Sequence, residues 1–249
     1  MSEIPQLLLL FAVGSIAGFI NVMAGGGSTI TLPTLIFLGL DSALANGTNR
    51  IAIIIQNIFA IFSFKQQKVH RFKQSLQLAF WTLPGAVVGA IVAIRLTDVW
   101  FQRILGIIMV GIIISMFFSP VKDNKEKDGA EKLNWLVYPA MLGMGFYGGF
   151  IQVGVGFLLM AALYHLLHLN LVFVNVHKVF IVFFYTIPAL AIFVWSGNVN
   201  WVMGLSLAAG NAFGGWWSAQ FAVKGGERII RIVLSIAILI MALKLFGLF

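Results

Sequence analysis

Arg50 and Lys178 are the residues of this chain best placed to do chemistry. Each is a cation well inside a long apolar segment, and no carboxylate lies deep in either segment to neutralise it. Hydrocarbon makes a bare charge expensive, so a buried cation without a carboxylate points to an anionic ligand. Arg50 follows Ala45-Asn46-Gly47-Thr48-Asn49, and Lys178 follows Val174-Asn175-Val176-His177. At a rise of 1.5 Å per residue, both sit about two helical turns into a span. Arginine can hold an oxyanion through two parallel hydrogen bonds, whereas lysine acts as a movable point charge. Asn21, Thr48, Asn49, Gln152 and Asn175 offer neutral donors for the same ligand. The competing structural reading is that both cations snorkel to the nearest interface. His177 adjoins Lys178, and histidine is the side chain suited to proton coupling near neutral pH; a neutral imidazole bonded between helices is the alternative.

Glycine-rich breaks add to this set. Gly25-Gly26-Gly27 and Gly154-Val155-Gly156 interrupt two apolar stretches, 5–40 and 135–167, that are too long for one ordinary span. Irregular backbone at membrane depth is tolerated only inside protein or along a water-filled cavity. A helix that restarts after such a break points free N–H groups and the positive end of its dipole at that cavity. Ser28 and Thr29 stand where the first restart falls.

The elements that position these residues are membrane helices. Hydrophobic residues make up 60% of the chain and charged residues 10%, against about 25% charged in soluble domains. Further apolar runs cover 42–64, 76–94, 100–119, 171–195, 201–223 and 229–249, and a span needs about 20 apolar residues. The fold class is therefore an all-α polytopic membrane protein with about 8–10 helical segments. With no cysteine, disulfides and thiolate metal sites are excluded. The net charge of +8 belongs to short connecting loops, as cytoplasmic loops of a membrane protein require, and not to a nucleic-acid surface. No metalloprotease helix, nucleophile elbow or paired acidic motif appears, so the chain reads as a non-enzyme without cofactor or metal. The start, Met1-Ser2-Glu3-Ile4-Pro5, lacks a basic signal-peptide region, so the first apolar run is expected to remain in the mature protein.

The sequence divides into a first repeat at 1–120, a charged solvated linker at 121–134 and a second repeat at 135–249. The linker holds eight of the 24 charged residues, four of each sign. Gly14, Gly18, Phe19-Ile20 and Asn21-Val22 in the first half match Gly145, Gly149, Phe150-Ile151 and Gln152-Val153 in the second. Gly85 and Gly89 likewise match Gly210 and Gly214, and Arg103 matches Arg231. Glycines four apart give a flat helix face for close packing. Basic residues crowd the loop at Lys65, Lys68, His70, Arg71 and Lys73, while its counterpart, 196–200, carries no charge. Equivalent loops then lie on opposite sides, which favours inverted over parallel repeats, with about five helical elements in each.

The glycine break leading into an apolar run with proline (Gly25 through Pro33), the 45–49 approach to the next span and the duplicated halves resemble the sulfite exporter TauE/SafE family. The resemblance extends over nearly the whole chain. It implies a multi-pass transporter in the cell (inner or plasma) membrane that moves sulfite, a sulfonate or a related small organosulfur anion outward. The second half departs from the pattern, with a shorter break at 154–157, Ala162 aligned with Pro33, and Val176-His177 in place of Gly47-Thr48.

Together these readings lead to alternating access of two repeats around a central cationic site. Arg50, Lys178, Asn21, Gln152, Asn49, Thr48, Asn175, His177 and the break glycines (Gly25, Gly26, Gly27, Gly154, Gly156) are its candidate residues. An anion channel, or a carrier for another small anion such as a carboxylate, is the alternative. The lipid bilayer and the anion are the expected partners, with proton coupling an option and the oligomeric state, homodimer included, left open. Neutralising Arg50 or Lys178 is expected to abolish binding while leaving the protein folded.

Overall fold

The computed structural model describes residues 3–69, 71–117, 135–167 and 169–245; the charged linker expected at 121–134 and His70 lie outside them. Among the described residues every regular element is an α-helix, in the order α1 (Glu3–Ala24), α2 (Ser28–Phe37), α3 (Ser42–Gln66), α4 (Phe72–Ala93), α5 (Asp98–Phe117), α6 (Val137–Phe150), α7 (Val155–Leu167), α8 (Leu171–Trp195) and α9 (Trp201–Leu245). The last is broken at Gly226, whose φ of 58° and ψ of −159° are non-helical, so it consists of two arms. Helices α1, α3, α4 and α8 are each long and apolar enough to cross a membrane. At 1.5 Å per residue, α2 with 10 residues and α7 with 13 reach only about 15 and 20 Å, half to two-thirds of the hydrocarbon core.

Local chemistry sets the ends of these helices. Gly25 takes φ 92° directly after α1, and its N–H returns to the Ile20 carbonyl at 3.2 Å, the left-handed termination that glycine makes cheaply. Gly39 (φ 96°) ends α2 in the same way. The second break lies a little upstream of its sequence placement. Its left-handed residues are Gln152 (φ 62°) and Gly154 (φ 69°), and α7 already begins at Val155. Gly156 is thus a helical residue in the first turn, conserving helix where the sequence suggested loop. The Asn170 side chain caps α8 by accepting from Phe173 N–H at 3.0 Å. A carboxylate from elsewhere serves α3: Asp98 accepts from Ser42 N–H at 2.8 Å.

Small residues decide which helices touch. α1 lies along α9, where Gly14 and Gly18 face Leu207 and Asn211 so closely that a Cβ on either glycine would come within 2.5 Å of a backbone oxygen. Ser206 and Ser218 donate from α9 to the Leu7 and Phe19 carbonyls of α1, both at 2.7 Å. α4 and α6 form the corresponding pair, with Gly85 and Gly89 against Leu142 and Phe146, and Gly145 and Gly149 against Thr82 and Ala86. Helices from the two sequence halves therefore interleave: α1 and α3 pack with α9, and α4 packs with α6 and α8.

Large apolar side chains face outward, and a set of polar side chains is buried among the apolar core. Phe37, Phe80, Ile107 and Trp195 stand exposed on the outside, whereas Asn46, Thr48, Asn49, Arg50, Gln56, Asn57, Gln152, Asn175 and Lys178 are buried. Lipid tails can cover the first group but not the second, which must find partners within the protein.

Candidate functional site

α1 and α6 both stop inside the protein. A helix C-terminus leaves its last four carbonyls without intrahelical donors, and away from water these need partners. The partners come from the two cations. From α3, the Arg50 guanidinium donates to the Gly148 carbonyl at 3.0 Å and the Gly149 carbonyl at 2.6 Å. Asn46, one turn earlier on α3, donates to the Phe150 carbonyl at 2.8 Å and accepts from Arg50 at 3.3 Å. From α8, the Lys178 ammonium donates to the Asn21 carbonyl at 3.0 Å and the Val22 carbonyl at 2.7 Å, and its third strong bond goes to Asn175 Oδ1 at 2.7 Å. Asn175 in turn donates to the Met23 carbonyl at 3.4 Å. Each cation, with an asparagine about one turn before it, covers three consecutive carbonyls at the end of a helix from the other half of the sequence. The negative end of the helix dipole favours a cation there.

This corrects the reading of Arg50 and Lys178 as unpartnered charges. No carboxylate was visible because the counter-groups are backbone carbonyls, which carry no signature in the sequence. Snorkelling is excluded as well, since Arg50 is 0% exposed and Lys178 2%. The Arg50 guanidinium also lies over the Phe193 ring, at 4.7 Å from its centroid.

Beside Lys178 lies a cavity of about 10 Å³, lined by Asn21, Ser28, Ile53, Asn57, Gln152, Val155, Gly156, Lys178 and Val182. That is room for about one water molecule, so an oxyanion of several heavy atoms enters only when the helices part. The cavity sits where the two breaks meet. The first residue of α2 and the first two of α7 form part of its wall, so both helix N-termini are directed at it, and each carries a partial positive charge of about half a unit. Asn21 bridges the wall by donating to Gln56 Oε1 at 3.2 Å and accepting from Gly27 N–H at 3.3 Å.

The structure thus gathers Asn21, Gln152, Gly156 and Lys178 on one cavity; Gly25, Gly26, Gly27 and Gly154 do not line it, although Gly25 packs on Gly156 and Gly27 N–H donates to Asn21. The remaining candidates sit elsewhere. Asn49 fixes α2 to α3, accepting from Thr31 at 2.7 Å and donating to Ser28 Oγ at 3.4 Å. Thr48 accepts from Asn200 N–H at 2.9 Å, ahead of α9. His177 turns to α4, where its Nδ1 pairs with Ser75 Oγ at 2.8 Å. Arg50 and Asn175 serve the helix ends and do not line the cavity.

A family model described as Sulfite exporter TauE/SafE matches residues 10–245. The chain belongs to this family. It is a multi-pass membrane transporter, and its relatives are named in the same terms. A "Probable membrane transporter protein" of Haemophilus influenzae is 27% identical over 244 residues, covering 97% of this chain and 95% of that protein. The "Probable membrane transporter protein YfcA" of Escherichia coli K12 is 29% identical over 245 residues, covering 97% and 90%. "Probable membrane transporter protein YunE" of Bacillus subtilis is 25% identical over 265 residues, covering 96% and 97%. No solved structure matches the chain.

One cavity group of this TauE/SafE protein and one group behind it carry no mark among the sequence candidates. Asn57 lines the cavity, and Gln56 holds Asn21 in place. A signal existed, because two adjacent amides in the middle of an apolar span are as anomalous as a buried cation. Tyr185 and Thr186 of α8 also lie against Gln152, and nothing in their local sequence distinguishes them from packing residues.

Proposed function

We propose that this chain is a secondary transporter that exports a small sulfur-containing anion, such as sulfite, a sulfonate or a related oxyanion, by alternating access. Two repeats, 1–120 and 135–249, frame the pathway in this reading, and the anion binds where their helix breaks meet. The observation that carries the proposal is the cavity at the break crossing. Its wall combines the Lys178 ammonium, the amides of Asn21, Asn57 and Gln152, and the starts of two helices. Every charge in that wall is positive, which suits an anion. Its closed volume of about 10 Å³ corresponds to an occluded conformation between inward- and outward-open forms.

Lys178 gives the binding step a physical course. All three ammonium protons are engaged, so an anion that takes one must release an α1 carbonyl or Asn175. Binding then loosens the α8–α1 contact in the place where the pathway has to open. Arg50 acts as the matching brace on α6.

Transport by purified protein in proteoliposomes tests this. The expected result is saturable, substrate-exchangeable uptake of labelled sulfite or methanesulfonate, with the anion recovered chemically unchanged. Non-saturating flux would indicate a channel, and exchange of simple carboxylates without sulfur anions would indicate the other carrier.

A further inference from the structure

Beyond the cavity, the interior contains polar atoms that the fold does not use. Arg50 spends both terminal nitrogens on helix α6, but its Nε–H has no hydrogen-bond partner. The Tyr185 hydroxyl has none either, although the residue is 0% exposed. It lies against the Gln152 and Thr186 side chains. Gln152 donates to Thr186 Oγ1 at 3.2 Å, which leaves its Oε1 also unpartnered.

These orphans belong together. Gly148 gives its carbonyl to Arg50 at 3.0 Å, and a Cβ on Gly148 would lie 2.7 Å from the Tyr185 oxygen. The guanidinium and the phenol thus meet at one glycine. Gln152 connects them to the cavity, because it lines that cavity and touches Tyr185. Buried donors are nearly always satisfied, and an unsatisfied one costs folding free energy. Two such donors, on side chains that meet at Gly148 and one of them on a permanently charged group, describe a place prepared for acceptors that arrive from outside.

We infer that Tyr185 is an anion-binding residue: its hydroxyl and the Arg50 Nε–H together receive oxygens of the transported oxyanion once the Gln152 carboxamide swings aside. This rests on the anion-transport reading above and extends its site from the Lys178 cavity to the Arg50 side. Lys178 then supplies charge at one end, and a charge-assisted pair of donors holds oxygens at the other. Gly148 permits the arrangement, since any larger residue would strike the tyrosine ring.

Tyr185→Phe separates a ligand role from a structural one. The wild-type protein and the variant, full length in lipid nanodiscs, are compared for thermal unfolding and for calorimetric binding of sulfite and methanesulfonate. Removal of an unpartnered hydroxyl should leave the unfolding temperature unchanged or raise it, while affinity falls about tenfold or more. Equal affinity in the two proteins would overturn the inference. So would a lowered unfolding temperature, which would mean that the hydroxyl has a structural partner. If the wild type binds neither anion, the anion-transport reading fails first, and this inference falls with it.

Discussion

Gly25 and Gly156 meet backbone to backbone where the two helix breaks cross. A Cβ built on Gly25 would lie 2.3 Å from the Gly156 carbonyl carbon, and one built on Gly156 would lie 2.4 Å from the Gly25 Cα. Neither neighbour is a flexible side chain that could move away. This contact holds the N-terminus of α7 against the end of α1, and with it two walls of the cavity. In the proposed repeat, the two glycines are counterparts that touch each other.

Gly25→Ala should therefore cost far more than an ordinary glycine substitution. It combines a left-handed φ of 92° with a backbone clash, and about 3 kcal/mol or more is expected. Gly156→Ala adds only the clash and should cost about 2 kcal/mol. Gly39→Ala is the control, with φ 96° but nothing within 4 Å of the added carbon, so about 1 kcal/mol is expected. Thermal unfolding of the three variants in one detergent gives the ranking. If Gly25→Ala and Gly39→Ala lose equal stability, the close contact is not real.

The exchanged caps change what neutralising the cations should do. Lys178→Met leaves the Asn21 and Val22 carbonyls and Asn175 without their donor. At about 1–3 kcal/mol for each orphaned buried group, several kcal/mol are lost, a large part of a typical net stability. Poor folding of Lys178→Met and Arg50→Gln is thus expected, in place of a folded protein that merely fails to bind. Arg50→Lys keeps the charge but cannot bridge two carbonyls with a planar fork, and should fall between wild type and Arg50→Gln. Denaturation midpoints or yields of monodisperse protein measure the order, and a fully stable Lys178→Met would remove the cap from the account.

The sequence made much of this visible, and the physical reason for each gap is specific. The first break, the restart at Ser28 and the glycine faces are local features, and each appears where its residues suggest, whereas the second break lies a little upstream. The partner of a glycine face is not local: Gly14 and Gly18 present the same flat surface to any helix, so nothing in them specifies α9. The caps were hidden for a related reason. Asn46 and Asn175 look like extra ligands beside a cation until the carbonyls they cover are known. Gln152 carried a misleading signal too, since the sequence places the break at the glycines after it, whereas the left-handed backbone begins at Gln152 itself (φ 62°).

His177 bears on coupling. Its Nδ1 pairs with Ser75 of α4, and it does not line the cavity. A coupling proton is therefore expected to bypass this imidazole. His177→Asn should lower stability by about 1–3 kcal/mol through the lost buried bond while leaving the shape of the pH–flux curve unchanged. Flux from proteoliposomes across a pH series decides the matter, and loss of a pH-dependent limb in the variant would restore His177 as the coupling residue.

Asn57 tests whether the cavity wall itself selects the anion. Its side chain lines the cavity and donates back to the Ile53 carbonyl at 2.8 Å. That local bond to its own helix can be lost at modest cost, because the Ile53 carbonyl keeps its place in the helical ladder. Asn57→Ala is therefore expected to fold with a penalty of about 1 kcal/mol. The amide N–H would still be missing when the helices part and an oxyanion arrives, so affinity should drop about three- to tenfold, in line with one neutral hydrogen bond. Asn57→Asp sharpens the test, since a carboxylate in a wall that otherwise carries only positive charge opposes an anion directly and should abolish saturable flux. Full sulfite or methanesulfonate transport by both variants would move the site away from the break crossing.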